Sequence, residues 1–445
     1  MVSTASTQAY GARQLLGRWW LVTHRLAPWD RQPRAFLYGG AIVGLAVACL
    51  VALWLLGAWV VLRDRVPPLV VAAIAAVWAL PVVLAPPMLS QDAYAFLAQG
   101  DVASRGAPYR SPSDVLGHSS VLLHAVDPLY RGRVSPYGPL ALRLFSTCLA
   151  VAHNDPVVAL ICLRIVVLLA VAVAAWSAWL LAPPARKGLA LWLVAANPLV
   201  LLHVVGGLHL EGLLMAALGL VWALHSAGRT RWAVVLVLIA ASIKVTAIVV
   251  LPVLLIVAHR RGGWRAAAEH AGAALGATVV LLLVLAPDPL GWWSAVPGTL
   301  RVWDPVSLPT QAALLWATLT STSPQVALPL LRGVSLTLGA AAAIYLCATA
   351  SRRLPAATAG FLLLAATVTG PALWPWYFGP AVVCLAIAGG RTELIVAAAA
   401  SAAAVMSALP MPVVQMQRLT AGSYAAVLLL AGIVLVTVRR QQTDD

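Results

Sequence analysis

Residues 156–182 read PVVALICLRIVVLLAVAVAAWSAWLLA. This apolar run is longer than the roughly 20 residues a helix needs to cross the hydrocarbon of a bilayer. Outward from it, similar runs cover 36–62, 67–85, 189–205, 208–226, 231–258, 266–286, 309–322, 326–350, 354–371, 376–389, 393–409 and 422–438. The chain of 445 residues is 62% hydrophobic and only 10% charged, with a mean hydropathy of +0.91. An ordinary soluble domain carries about 25% charged residues, so a soluble enzyme, a disordered scaffold and a disulfide-stapled secreted module are excluded. A transmembrane barrel is excluded too, because its lumen-facing positions impose an alternation that these continuous runs lack. The expectation is an all-α polytopic membrane protein, a bundle of roughly 12–13 transmembrane helices.

The net charge of +15 is not a nucleic-acid footprint. Arginines collect at the ends of apolar runs: Arg63 and Arg65, Arg186 with Lys187, Arg229 and Arg231, Arg260 and Arg261, Arg352 and Arg353, Arg439 and Arg440. That is the positive-inside pattern. With the clusters from Arg186 onward in the cytoplasm, four segments share the opposite side. They are the turn at His209–Glu211, a break at Lys244, the polar loop 287–308 and the turn Trp374–Tyr377. The polar loop 86–137 joins them if 138–153 lies along the membrane rather than crossing it. The same counting puts Arg63 and Arg65 inside and the arginine-rich N-terminus outside, a conflict within the rule.

Residues 1–35 form a basic arm in which Leu15, Leu16, Trp19 and Trp20 share one helical side, as in a helix lying in the membrane interface. No apolar core of a cleavable signal is evident there. Residues 36–438 form the transmembrane domain, and 439–445 a cytoplasmic tail. The five cysteines lie in apolar stretches with no CxxC spacing, as small core residues do.

Loop 86–137 is the longest polar stretch and holds Asp92, Asp101, Asp114 and Asp127, four of only fourteen acidic residues. A loop of that length in a compact membrane protein is usually functional. Asp92 reads either as a cap for a following helix through Tyr94, Phe96 and Leu97 or as a general base at the water–lipid boundary. Glu211 and His209 lie between two apolar runs, where ionisable groups face a cavity or a partner; they pair with each other or serve chemistry. Lys244, one of only two lysines, sits mid-run and needs an anion, either a protein carboxylate or a ligand phosphate. The 231–258 run is expected to break around Ser242–Thr246.

Trp374, Trp376 and Tyr377 read as an interfacial aromatic belt broken by prolines or as a platform for sugar rings and isoprenoid chains. Arg301, Trp303 and Asp304 in the second loop have a similar status. Pro136-Tyr137-Gly138-Pro139 reads as a structural turn. No GxGxxG or Walker pattern is present, so a nucleotide-activated donor gives way to a lipid-borne one.

Several blocks resemble a known group. Ser90-Gln91-Asp92-Ala93-Tyr94 through Gln99-Gly100 to Pro108-Tyr109 is similar to the first external loop of actinobacterial polyprenol-phosphomannose-dependent α-1,6-mannosyltransferases. So are Ser135-Pro136-Tyr137-Gly138-Pro139-Leu140, Asn197-Pro198-Leu199-Val200, Gly206-Gly207-Leu208-His209, Ile243-Lys244-Val245 and Pro375-Trp376-Tyr377. These blocks span about 90–380.

The resemblance implies the GT-C class of multispanning glycosyltransferases, with the active site on the periplasmic side of the plasma membrane. It implies a polyprenyl-phosphate-mannose donor, an α-1,6-mannan lipoglycan acceptor of the lipomannan type, membrane lipids as surroundings and no nucleic acid. Asp92 matches the acidic residue of that loop. Where a His-Asn-Asp-like triplet is expected, the chain has His209-Leu210-Glu211, which keeps the carboxylate and loses the amide.

The mechanism expected from these residues is an inverting single displacement. Asp92 takes the proton from the acceptor hydroxyl. Glu211 supports the oxocarbenium-like centre or orients an acceptor hydroxyl. Lys244 and Arg301, with His209, stabilise the departing phosphate. Trp374 and Trp376 stand near the mouth of a groove for the prenyl tail, and Tyr94 and Tyr377 complete the substrate-binding set. No metal site is assigned, and a divalent metal shared by Asp92 and Glu211 is the one cofactor the carboxylates allow. The rival readings are an α-1,2-mannosyl or arabinofuranosyl transferase, a polyprenyl-lipid flippase or secondary transporter, and an inactive scaffold.

Overall fold

A computed structural model describes residues 33–285, 288 and 290–407. The basic arm up to residue 32, the apolar run 422–438 and the tail 439–445 lie outside the described residues. In chain order the main helices are α1 (Pro33–Asp64), α2 (Pro68–Leu84), α3 (Asp92–Ser104), α4 (Pro139–Val151), α5 (Pro156–Leu181), α6 (Lys187–Ala195) and α7 (Glu211–Ser226). They continue with α8 (Thr230–Ala241), α9 (Leu251–Leu285), α10 (Leu308–Thr320), α11 (Pro324–Ala348), α12 (Pro355–Thr369), α13 (Gly379–Ala388) and α14 (Arg391–Ser407). No strand occurs among the described residues.

Val43–Asp64, α5, Val245–Val284 and α11 are each long and apolar enough to span a membrane. A fifth candidate is the pair Pro184–Ala195 and Leu199–Val205, bent by 40°. Leu45 and Leu56 on α1, Leu169 on α5, and Leu330 and Ile344 on α11 are exposed. An apolar surface of that extent calls for lipid rather than water. The protein is an all-α polytopic membrane protein.

Two of the expected runs are interrupted. The 189–205 run is not continuous: Pro198 has no N–H to continue a helix, and Asn197 replaces the missing bonds. Its Nδ2 donates to Leu193 O (2.9 Å) and Ser401 Oγ (2.8 Å), and its Oδ1 accepts from Leu199 N (2.9 Å). The chain then winds as a π-helix over Leu199–Val205, a form concentrated at functional sites. The 231–258 run breaks where expected: α8 stops at Ala241, Lys244 is extended (φ −146°, ψ 122°), and a 3-10 turn over Val245–Val250 leads into α9. Gly262 and Gly263 leave helical geometry inside α9 and divide it.

The described residues form two compact units. The first contains residues within 76–174 and 200–300, and the second residues within 33–75, 175–199 and 301–407. Each is discontinuous in sequence, which hydrophobic periodicity cannot signal.

In the first unit, α3 and α4 pack through Phe96 and Phe145, whose rings stack at 4.9 Å. Tyr137 meets Phe96 edge-on at 5.2 Å. The buried face of α4 carries Leu142, Phe145, Cys148 and Leu149, while Arg143 and Thr147 face outward. The turn before α4 is fastened to the break after α8. Gly138 N donates to Ile243 O (3.1 Å), and Leu140 N donates to Ser242 O (3.2 Å). A Cβ at position 138 would lie 2.1 Å from Ser242 O.

Gly138→Ala is therefore expected to force this joint apart. Overpacking of this kind costs about 1–3 kcal/mol. Thermal unfolding in detergent and the monodisperse yield measure the loss, and a variant as stable as the parent contradicts the account.

In the second unit, Asp304 is fully buried. It accepts hydrogen bonds from Val306 N (3.0 Å) and Leu373 N (2.5 Å), which ties loop 301–308 to the tryptophan turn. The Trp374 and Trp376 rings stack 5.4 Å apart and nearly parallel.

Candidate active site

Four chain segments of the first unit meet around Asp92. Asp92 opens α3, and Gln91 rather than Asp92 holds the N-cap position, with no side-chain cap hydrogen bond. The carboxylate is therefore left for other work. Its backbone N–H donates to Ser90 Oγ (3.1 Å). The second segment, Gly206 to Glu211, leaves the π-helix and enters α7. Met88 N donates to Gly206 O (3.0 Å), so the approach to Asp92 and the approach to His209 are laced together. Leu89 (φ 60°) and Leu208 (φ 57°) both adopt left-handed backbone conformations. Non-glycine residues held so cost of order 1–3 kcal/mol each and gather at functional sites.

His209 Nδ1 lies 3.7 Å from Asp92 Oδ2. His209 is fully buried, while 20% of the Asp92 side chain stays open. Glu211 begins α7 and forms a buried ion pair with Lys244, which stands in the break after α8. Lys244 Nζ also lies 5.7 Å from the centre of the Tyr137 ring. The anion Lys244 requires is thus Glu211, and the histidine faces Asp92 rather than Glu211. Leu210, between them, points into the hydrophobic core.

Burial pushes the Asp92 carboxyl up to about 6. Lys244 pulls it down, Glu211 raises it, the Ser90 hydroxyl lowers it and Asp127 raises it a little. Asp92 is accordingly a carboxylate of raised basicity that is ionised at neutral pH and partly open to a ligand. Such tuning is what a general base needs.

Both acid–base partners stand at one end of a helical hairpin. Glu211 starts α7 and Lys244 follows α8, and the connecting turn at the far end carries Arg229 and Arg231. Arg261 Nη1 reaches Thr230 Oγ1 (3.3 Å), so a third arginine joins that far end. The 16 residues of α7 separate the two ends by about 24 Å.

The first unit brings together Asp92, His209, Glu211 and Lys244. Tyr94 is only 4% exposed and belongs to the core packed around Phe96 and Phe145. Arg301, Trp374, Trp376 and Tyr377 belong to the second unit. There Arg301 is exposed, Trp376 is buried, and Trp374 and Tyr377 are half-buried.

The Lys244 ammonium is paired with the Glu211 carboxylate. Among the described residues, no three His, Cys, Asp or Glu side chains group as a metal site.

Sequence reasoning missed three supports. Ser135 Oγ donates to Gln99 Oε1 (2.9 Å) in the core and accepts from Tyr137 N (3.3 Å), fixing the Tyr137 turn. Tyr137 itself forms the aromatic wall beside Lys244. Buried Arg164 on α5 donates to Val83 O (2.9 Å), Ala85 O and Gly206 O (3.4 Å). That clamp holds the end of α2 against the Gly206 turn. The signal for Arg164 was present, since a lone charge inside a spanning run marks a functional or structural partner.

Residues 2–260 match the family described as alpha-(1→6)-mannopyranosyltransferase, N-terminal domain. The chain belongs to this family. The match covers more than half of the sequence and includes the four clustered side chains. Among relatives, the chain is 29% identical to alpha-(1→6)-mannopyranosyltransferase A of Mycobacterium tuberculosis over 297 residues, 64% of this chain and 57% of the relative. It is 32% identical to alpha-(1→6)-mannopyranosyltransferase B of Corynebacterium glutamicum over 255 residues, 51% of this chain and 42% of the relative. The A protein of the same species is 30% identical over 258 residues, 52% of each chain. The chain spans about half the length of the curated relatives it matches. No solved structure matches it.

Proposed function

We propose that this chain is a GT-C-type membrane glycosyltransferase. It transfers mannose from a polyprenyl phosphate to a growing α-1,6-mannan, with inversion, on the outer side of the plasma membrane. The observation that carries this reading is the partly open Asp92 carboxylate, held 3.7 Å from buried His209 beside the Glu211–Lys244 pair. Membership of the mannopyranosyltransferase family supports the sugar and the linkage. The arginine-rich far end of the α7–α8 hairpin supports the outward-facing site through the positive-inside rule.

An acceptor hydroxyl approaches Asp92, which takes its proton as the oxygen bonds to the anomeric carbon. The bond from that carbon to the phosphate oxygen breaks, and the electron pair leaves with the polyprenyl phosphate. A β-linked donor thereby gives an α product. The leaving group is already a stable anion and needs positive charge rather than a proton. Lys244 supplies that charge while its pairing with Glu211 keeps the pocket from binding anions indiscriminately. His209 faces the Asp92 carboxylate from 3.7 Å. Glu211, adjacent and buried, supports the positive character that develops on the sugar ring.

The test is transfer by the purified chain from a synthetic short-chain polyprenyl phosphomannose, with linkage analysis of the product. An α-1,6-mannosyl product is expected. A different linkage or sugar replaces the reading with a neighbouring transferase, and transport without transfer replaces it with a flippase.

Its pH dependence follows from Asp92. The base works as the carboxylate, so kcat/KM should rise with pH through about 6 and level off above it. Below that point, each pH unit costs about tenfold. A flat profile between pH 4.5 and 7.5 removes Asp92 from the base role.

A further inference from the structure

A cavity of about 340 Å³ opens beside the site, between the end of α3, the outer face of α4 and Asp288. Its size falls within the roughly 300–1,000 Å³ range of small-ligand pockets. The polar lining comprises Ser104, Tyr109, Arg143, Ser146, Thr147 and Asp288. Those groups offer a planar guanidinium, a carboxylate, hydroxyls and an aromatic ring. A sugar ring presents matching features: vicinal hydroxyls that both donate and accept, and an apolar face. A phosphate or lipid headgroup suits the cavity less well, because the Asp288 carboxylate shares the wall with Arg143.

The wall is built rather than incidental. Gly291 lies so close to Tyr109 that a Cβ on it would sit 2.2 Å from the ring and 2.3 Å from an Asp288 carboxylate oxygen. Burial and the nearby Asp288 both push the Tyr109 hydroxyl up, so it remains a donor at neutral pH.

The cavity also adjoins the transfer site. Tyr109 Oη donates to Tyr137 O (3.5 Å), and the Tyr137 ring faces the Lys244 ammonium. Pro139 lines the cavity and directly follows Gly138, whose N–H is bonded to Ile243 O. The cavity wall is thus linked to the Glu211–Lys244 pair through Tyr109 and Tyr137.

We propose that the cavity bounded by Tyr109, Arg143 and Asp288 is a carbohydrate subsite. It holds a neutral sugar unit of the acceptor chain away from the hydroxyl that reacts at Asp92. The identification of the ligand as a mannan rests on the function proposed above; the existence of a sugar-binding cavity does not. Such a subsite favours acceptors of more than one residue, because the held sugar and the reacting hydroxyl then belong to different units of the chain.

The test uses the full chain in nanodiscs, with α-1,6-linked mannobiose and mannotetraose glycosides as probes. Two measurements are made: direct binding of labelled mannotetraose, and kcat/KM for each acceptor. Wild type is expected to bind mannotetraose and to prefer it as acceptor over mannobiose. Asp288→Asn and Arg143→Gln should each weaken binding, and reduce that preference, about tenfold, the loss of one charge-assisted hydrogen bond. Asp288 and Arg143 are both exposed, so both variants should fold, and thermal unfolding in the same nanodiscs verifies it.

Binding that depends on Asp288 in a protein that transfers no mannose would support the subsite and overturn the function. Transfer with an unchanged acceptor preference in both folded variants would overturn the subsite alone. Absence of both binding and transfer would overturn both.

Discussion

Asp92→Asn lowers mannosyl transfer by about 10²- to 10⁴-fold, the expected contribution of a positioned general base. The substitution keeps the shape of the side chain and removes only its capacity to take a proton. The position is partly open and caps no helix, so folding and membrane insertion should survive.

Stability supplies an independent sign. The Asp92 carboxyl stands at about 6 in the folded chain, above its usual value of 3.8. The folded state therefore holds the proton more tightly than the unfolded state. Ionised Asp92 costs stability fully above about pH 6, and that cost disappears as pH falls below about 4. Asp92→Asn should accordingly stabilise the protein at pH 7.5, by on the order of 1–3 kcal/mol, and give no gain at pH 4. An inactive variant that is more stable at neutral pH is the pattern of a residue kept for chemistry against the interest of the fold. Transfer at the parental rate by Asp92→Asn would remove the proposed mechanism.

The second large effect concerns the buried ion pair. Lys244→Met leaves Glu211 without its cation in a place where it is 2% exposed. Removing one partner of a buried pair costs about 3–5 kcal/mol. Glu211→Gln leaves Lys244 in the converse position. The double variant, Lys244→Met with Glu211→Gln, buries no net charge and should recover most of the stability that either single variant loses. Thermal unfolding of the four proteins closes the cycle.

The double variant also separates folding from catalysis. Lys244 lowers the Asp92 pKa more than Glu211 raises it. Losing both should move the acid limb of the pH profile upward, and on the proposed mechanism the missing cation also slows departure of the phosphate. A double variant that folds and transfers normally would show that Lys244 serves the fold alone. Single variants whose stability losses simply add in the double would show that the two residues are not coupled.

Much of the architecture was legible because a bilayer imposes a strong rule on sequence. Every spanning backbone must satisfy its own hydrogen bonds and show an apolar surface, so helices appear as runs. The runs at 156–182 and 326–350 correspond to α5 and α11, and the break at Ser242–Thr246 is where a lysine interrupts an apolar stretch. The interruption of 189–205 was less legible, because Asn197 repairs the helix break with bonds to Ser401, 204 positions away. Local pattern holds no trace of that partner.

The class of protein, the side-chain types available for chemistry and the segments that carry them can all be read from the chain's composition and pattern. Asp92, His209, Glu211 and Lys244 all stand out as rare ionisable groups beside or within apolar runs, where the cost of burial makes each conspicuous. Which of them are partners depends on how the helices pack. That packing joined Lys244 to Glu211 and His209 to Asp92, moved Tyr94 into the core, and set Arg164 as the clamp on the Gly206 turn. The physical reason is range. Hydrophobic periodicity acts over neighbouring turns and is written locally, whereas an ion pair is fixed by the packing of helices distant in sequence, here through the joint between Gly138 and Ile243.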